Sequence, residues 1–361
     1  MKRRDFTLAM LSLPLARPAL AQSTPLRIEQ VADGFRVPWS VGFLPGGDML
    51  VTERAGRLWR VAPDGKRQRI TGVPEVAARG QGGLLDVVVA RDFSRTGAIF
   101  LSYAKAQASG GAGTALAVAR LDGTKLVNPR RIFEMMPGSS GGRHFGGRIV
   151  EARDGTLFLT IGERGDRPSA QDLTRENGSV IRVARDGRIP PDNPFLNSPG
   201  TRPAIWSYGH RNPQGAALDG QGRLWLCEHG AQGGDEVNLI EKGANYGWPV
   251  ISYGRHYSGA KIGEGTSKAG MKQPAFYWDP SIAPSGLAIL GQGRFPGWQG
   301  AMLVGSLKFD HIAVLAPGAK RQITRIETPE TIRVRDVREG PDGAIWFLSE
   351  GNGALYRITS G

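Results

Sequence analysis

Cysteine is nearly missing: Cys227 stands alone in the chain. That excludes an internal disulfide, a cysteine zinc cluster and an iron–sulfur site. Long apolar runs are missing too. Outside the N-terminus none approaches the roughly 18 to 20 residues that cross a bilayer, which excludes a polytopic membrane protein. Long stretches of 3.6-residue periodicity are absent. So are basic clusters. Lys and Arg number 46 against 33 Asp and Glu, a formal charge of +13, yet no run of five or six basic residues collects it. Charge scattered in this way supports attraction to anionic surfaces or acidic ligands, not to nucleic acid. Glycine is abundant instead, at 52, with 24 prolines, about a fifth of the 361 residues together. They follow no Gly-X-Y period, so they mark turns rather than a fibrous or disordered chain.

Residues 1–21 read as an export signal. They open with Lys2, Arg3 and Arg4, run apolar from Phe6 to Ala16, and end in Ala19-Leu20-Ala21. The arginine pair followed by Asp5 and Phe6 resembles a twin-arginine signal, and cleavage near Ala21 implies a periplasmic protein. Removing those 21 residues, four basic and one acidic, leaves 340 and lowers the net charge from +13 to +10. Residues 22–361 read as a single domain with no membrane span. Cys227 lies in the apolar run Leu224–Cys227 and reads as a small buried hydrophobe.

One phrase recurs along the mature chain: a Gly-containing turn, an apolar strand, a polar turn, and a second apolar strand. The copies are Pro45–Glu53 with Gly56–Val61, Ala98–Tyr103 with Ala115–Leu121, and Asp154–Ile161 with Ser179–Val183. Gly222–Glu228 with Glu236–Ile240, Gly300–Ser306 with His311–Leu315, and Asp342–Leu348 with Gly353–Ile358 complete the set. Six copies at about 57 residues each, rich in β-branched and aromatic residues, predict an all-β fold. The architecture that fits is a six-bladed β-propeller with four-stranded antiparallel blades. Leu26–Val31 would add a strand to the last blade and lock the ring. A pair of β-sandwiches fits six similar units poorly.

Several loops carry chemistry. Gly142–Arg148 holds His144 between glycines, a candidate general base; read by itself, the segment better describes a turn histidine bonded to backbone. Glu163 directly follows a strand and would orient a histidine, or be a solvated turn carboxylate. In Tyr208–Gly215, Arg211 offers a planar fork for a carboxylate, and Asn212 and Gln214 offer amide bonds. Glu228–Glu236 combines glycines with Asp235 and Glu236, oxygen donors suited to a hard cation such as calcium, without EF-hand spacing. Lys308 follows a strand, and Arg333 and Arg335, two apart, share one strand face. With Arg211 these cations would converge from different blades on one axis and suit a ligand with several carboxylates.

The runs Gly80–Leu85, Arg143–Arg148, Gly209–Gly215, Gly234–Ile240 and Ala244–Pro249 resemble the soluble pyrroloquinoline-quinone (PQQ)-dependent sugar dehydrogenases. Tyr257–Gly259 and Ala275–Trp278 bring the likeness closer to the periplasmic aldose sugar dehydrogenases. The likeness extends from about Pro38 to Ile358. It implies a six-bladed propeller, a bound PQQ seated on calcium, and oxidation of aldoses to lactones. By motif match it implies His144 as the base, Glu163 as its partner and Arg211 beside them. Gln81, Arg211, Asn212, Gln214, Lys308, Arg333 and Arg335 fall at cofactor-binding positions. Gly230 and Ala231 fall at ligands of the cofactor's calcium, and Glu236 and Tyr246 at a structural calcium site. An electron acceptor, soluble or in a membrane, is implied as partner, with the protein a monomer or dimer. The competing readings are a calcium-dependent propeller lactonase and a propeller that only binds a glycan or protein. An arginine-rich, carboxylate-poor axis opposes the first, and the ordered set of His144, Arg211 and Lys308 opposes the second.

Overall fold

Six four-stranded antiparallel sheets stand around one axis in the computed structural model, which describes residues 25–108 and 110–361. The predicted export signal lies outside the described residues. Each sheet begins with a strand beside the axis: Pro38–Phe43, Leu84–Val89, Ile149–Glu151, Pro213–Leu218, Pro284–Ile289 and Val334–Glu339. The recurring phrase corresponds to the second and third strands of every blade, such as Leu157–Ile161 and Ser179–Val183. No helix of the described residues is long and apolar enough to cross a membrane.

Closure runs as predicted from Leu26–Val31. The strand Leu26–Ala32 pairs antiparallel with the C-terminal strand, Leu26 facing Ser360 and Ile28 facing Ile358. The last blade is therefore built from both ends of the chain. Its second and third strands still alternate toward the neighbouring sheets, and Phe347, Leu355 and Ile358 are fully buried. The apolar core is divided into clusters between adjacent sheets, because each sheet buries both faces against its neighbours. Cys227 lies in one of these clusters, as its apolar setting suggested.

The axis itself is polar. Arg148 and Arg338 pair there with Asp86 and Asp336: Arg148 Nη1 lies 3.2 Å from Asp86 and 3.0 Å from Asp336, and Arg338 lies 2.8 and 3.0 Å from the same two. Backbone amides close the cluster, Ile149 donating to Asp86 at 2.8 Å and Val41 to Asp336 at 3.1 Å. Arg148 Nε donates to the Gln214 carbonyl at 3.0 Å, and its guanidinium lies 4.4 Å over the Trp39 ring. Three buried charges and the partly buried Arg338 thus join the innermost strands of five blades.

Candidate active site

A cavity of about 910 Å³ opens on one face of the ring, above that charged axis. Its walls are the entries to the innermost strands (Gly146, Asn212, Gln214, Arg335) and the segments that follow second strands (Arg54, His229–Gly233, Lys308, Glu350). Every blade therefore contributes to one space by the same local geometry.

His144 stands just behind this wall, 9% exposed, while its neighbours Phe145 and Gly146 line the cavity. Its Nδ1 lies 2.8 Å from Glu163 Oε1. That pairing assigns the proton to Nδ1 and leaves Nε2 as the free lone pair. His144 has φ of +55°, a left-handed backbone that costs a non-glycine residue energy and persists only where the surroundings impose it. Here they do. The Gln81 side chain accepts its N–H at 2.7 Å. Gly162 lets the loop pack closely, since a Cβ there would stand 2.2 Å from the His144 carbonyl. Glu163 is held in turn: its second oxygen accepts from Gly165 N–H, and its own N–H donates to the Arg211 carbonyl at 2.9 Å. Burial lowers the His144 pKa, the Glu163 hydrogen bond opposes this, and Arg211 lowers it further. The imidazole is therefore neutral at neutral pH.

The predicted amides also converge. Asn212 Oδ1 accepts from Gly146 N–H at 3.4 Å and from Gln214 Nε2 at 3.2 Å. Arg211 is buried, and it lines a narrower neighbouring cavity rather than the large one. Its Nη1 donates to the His229 carbonyl at 3.2 Å, and its Nε is buried without a partner. Arg333 and Arg335 share Glu350, at 3.0 and 2.8 Å. Although burial raises the Glu350 pKa, these two guanidiniums hold its carboxyl below the usual range. Lys308 lines the cavity and makes no ion pair among the described residues. Arg211, Lys308, Arg333 and Arg335 outnumber the acids of the large cavity, Asp279 and Glu350, so this inner set is net positive. A trianionic ligand fits that set, and the orphaned Arg211 Nε is a donor still without a partner.

The proposed metal positions fall in two places. Gly230 and Ala231 line the large cavity. A Cβ on Gly230 would stand 2.2 Å from the Gly233 carbonyl, so only glycine permits this backbone. Glu236 and Tyr246 line the narrower cavity with Glu228, about 10 Å³ in size and suited to a single small occupant. Burial and the neighbouring Glu228 carboxylate push the Glu236 pKa up. Asn238 Oδ1 close by is buried without a partner. The Asn238 side-chain nitrogen donates to both Glu228 and Glu236, at 3.3 and 3.1 Å, and two carboxylates held this close fit a hard cation. Among the described residues no group of three His, Cys, Asp or Glu has metal-ligand spacing, so such a cation would be held mainly by carbonyl oxygens. Asp235, offered with Glu236 as a donor, is instead spent on the loops: it accepts from Gly230 N–H, Ala283 N–H and the Ser281 hydroxyl.

Sequence reading missed Glu350, His229 and Glu228. Burial and the nearby Arg211 and Arg335 push the His229 pKa down to about 3, and its Nε2 lies 2.7 Å from the Pro284 carbonyl. Glu228 accepts from Arg211 N–H at 2.7 Å and faces His210 Nδ1 at 2.8 Å. A signal for two of these was present. Glu53, Glu163, Glu228 and Glu350 each stand at or just beyond the end of a second strand, so superimposing the repeats would have grouped them.

The family model described as glucose / sorbosone dehydrogenase matches residues 35–357. The chain is 43% identical over 370 residues to aldose sugar dehydrogenase YliI of Escherichia coli, covering 99% of each protein. The crystal structure of the soluble aldose sugar dehydrogenase from Escherichia coli, in its apo form, superimposes with a TM-score of 0.90 at 42% identity. It covers 93% of this chain and 100% of that one. The PQQ-bound form of aldose sugar dehydrogenase from Streptomyces coelicolor gives a TM-score of 0.77 at 28% identity, covering 93% and 98%.

Proposed function

This chain belongs to the glucose/sorbosone dehydrogenase family, and from that membership we propose that it oxidises aldoses to lactones, with PQQ as cofactor, calcium as its metal and His144 as general base. The observation that carries the proposal is the His144–Glu163 pair at the wall of a cavity lined by Lys308, Arg333 and Arg335, with Arg211 in the narrower cavity beside it. When bound, PQQ on calcium supplies a hydride acceptor with a polarised carbonyl.

The chain's own residues do the rest. His144 Nε2 takes the proton of the anomeric hydroxyl as the C1 hydrogen leaves as hydride. Glu163 holds the ring through Nδ1 and stabilises the imidazolium that forms. Arg211, Lys308, Arg333 and Arg335 bind carboxylates, and Gln81, Asn212 and Gln214 fix the wall against which the cofactor rests. Gly230 and Ala231 would supply backbone oxygens for the cofactor's calcium, and Glu236 with the Tyr246 carbonyl would hold a second calcium. The narrow cavity beside Arg211 supports that second assignment. We also read residues 1–21 as an export signal, which places residues 22–361 in the periplasm as one catalytic domain. A metal-dependent lactonase needs acidic ligands beyond those grouped here.

The test combines purified protein, PQQ, calcium, an aldose and a redox dye. Dye reduction that requires both PQQ and calcium is expected, and no reduction with any aldose would overturn the proposal. The pH profile adds a second expectation. His144 acts as a base only when neutral, and its pKa is lowered by burial. kcat/KM should therefore hold as pH falls through about 6.5, the ordinary histidine value, and then decline as protonation removes the base. A limb at or above 6.5 in stopped-flow reduction of the cofactor would contradict it.

A further inference from the structure

The inner cations do not exhaust the positive charge at the cavity. Arg54 and Arg255 also line it, and Arg143 is exposed beside His144. None of these three makes an ion pair among the described residues. Other exposed arginines, Arg27, Arg69, Arg294 and Arg321 among them, also stand without an ion pair among the described residues, so what marks these three is their place around one opening. Large apolar side chains are exposed at the same mouth. Tyr257 lines the cavity at 76% exposure, Phe309 follows Lys308 at 41%, and Ile332 precedes Arg333 at 39%. The acids nearby are few. Glu350 is spent on Arg333 and Arg335, Asp310 accepts Arg333 N–H at 2.8 Å, and Asp279 lies against Gly233. Exposed apolar side chains interspersed with unpaired cations, around the opening of a redox site, form a surface for brief encounters with an oppositely charged partner.

We propose that this rim docks an acidic one-electron carrier protein, which collects the electrons of the reaction. The proposal rests on the dehydrogenase reading for its chemistry. Oxidation of one aldose to its lactone releases two electrons and two protons. Two oxidised carriers, docking in turn, each take one electron, and the two protons leave to water. The charge on the rim favours an acidic carrier because approach to a cationic mouth accelerates association with anionic surfaces and slows it with cationic ones.

The experiment compares two carriers of opposite surface charge, acidic plastocyanin and basic mitochondrial cytochrome c, with an uncharged benzoquinone as reference. With PQQ-loaded protein and an aldose, plastocyanin should be reduced at least about tenfold faster than cytochrome c at low salt. That advantage should shrink as ionic strength rises. In the Arg54→Glu/Arg255→Glu variant the ratio of the plastocyanin rate to the benzoquinone rate should fall about tenfold. Binding is read separately, by surface plasmon resonance of plastocyanin on cofactor-free protein, and should weaken in the same variant. Equal rates for both carriers, or rates indifferent to salt, would overturn the proposal. Retention on phosphatidylglycerol vesicles without plastocyanin binding would overturn it in favour of a lipid surface. If benzoquinone is not reduced either, the dehydrogenase reading fails, and absence of plastocyanin binding by the cofactor-free protein would then sink the docking face as well.

Discussion

Replacing His144 by asparagine is expected to lower kcat by about 10²- to 10⁴-fold, the usual worth of a positioned general base, without loss of cofactor affinity. Asparagine is the informative substitution because φ at this position is +55°. It tolerates the left-handed region better than other non-glycine residues, so the loss reads chemistry rather than backbone strain. It also has no side-chain nitrogen basic enough to take a hydroxyl proton. Glu163→Gln should lose less. The ring keeps a hydrogen-bond partner at Nδ1, but the imidazolium formed during proton abstraction no longer faces a charge. Cofactor titration by fluorescence quenching separates the two effects from binding. A His144→Asn protein that turned over at the parental rate would remove this residue from the chemistry.

The second large effect concerns the axis. Arg148→Met should destabilise the fold by about 3–5 kcal/mol, the penalty for removing one partner of a buried charge pair. Arg148 is 1% exposed, and Asp86 and Asp336 are fully buried. Methionine fills the volume but leaves two carboxylates to the single Arg338. The same change frees the Gln214 carbonyl, whose residue lines the cavity and bonds Arg335 through its side chain at 3.3 Å. Cofactor affinity should therefore fall along with stability. A urea midpoint shifted at constant slope measures the first. An unshifted midpoint would mean that the two carboxylates find compensation elsewhere.

This cluster also explains what was legible in the sequence. Second and third strands announce themselves because their residues are apolar and bracketed by Gly-containing turns, as in Leu157–Ile161, buried at all five positions. First strands do not, because their inward faces carry Ser40, Asp86, Arg148 and Asp336 toward the axis, which breaks the apolar pattern. Outer strands such as Arg67–Ile70 are exposed at three of four positions and read as loop. At the site, His144, Arg211 and Lys308 were legible because each sits in a distinctive local phrase, and Glu163, 19 residues from His144, was legible as its partner. The pairings made by closing the ring were not. Arg335 and Gln214 are 121 residues apart, and Arg338 and Asp86 252. No local pattern encodes contacts of that span.

The strand Leu26–Ala32, which seals the last blade against Ala354–Ser360, also orders events in time. Of the strands of the ring, a ribosome delivers this one ahead of all others and its partner after them. Until Ala354–Ser360 emerges, residues 26–32 have no native ladder to join, and the nascent chain carries an open edge. Blades one to five can assemble as they emerge, but the ring closes only once that partner strand is free of the ribosome. The same late closure brings Arg333, Arg335 and Glu350 to the cavity, so the polypeptide acquires its binding site in the step that completes its architecture, and no earlier.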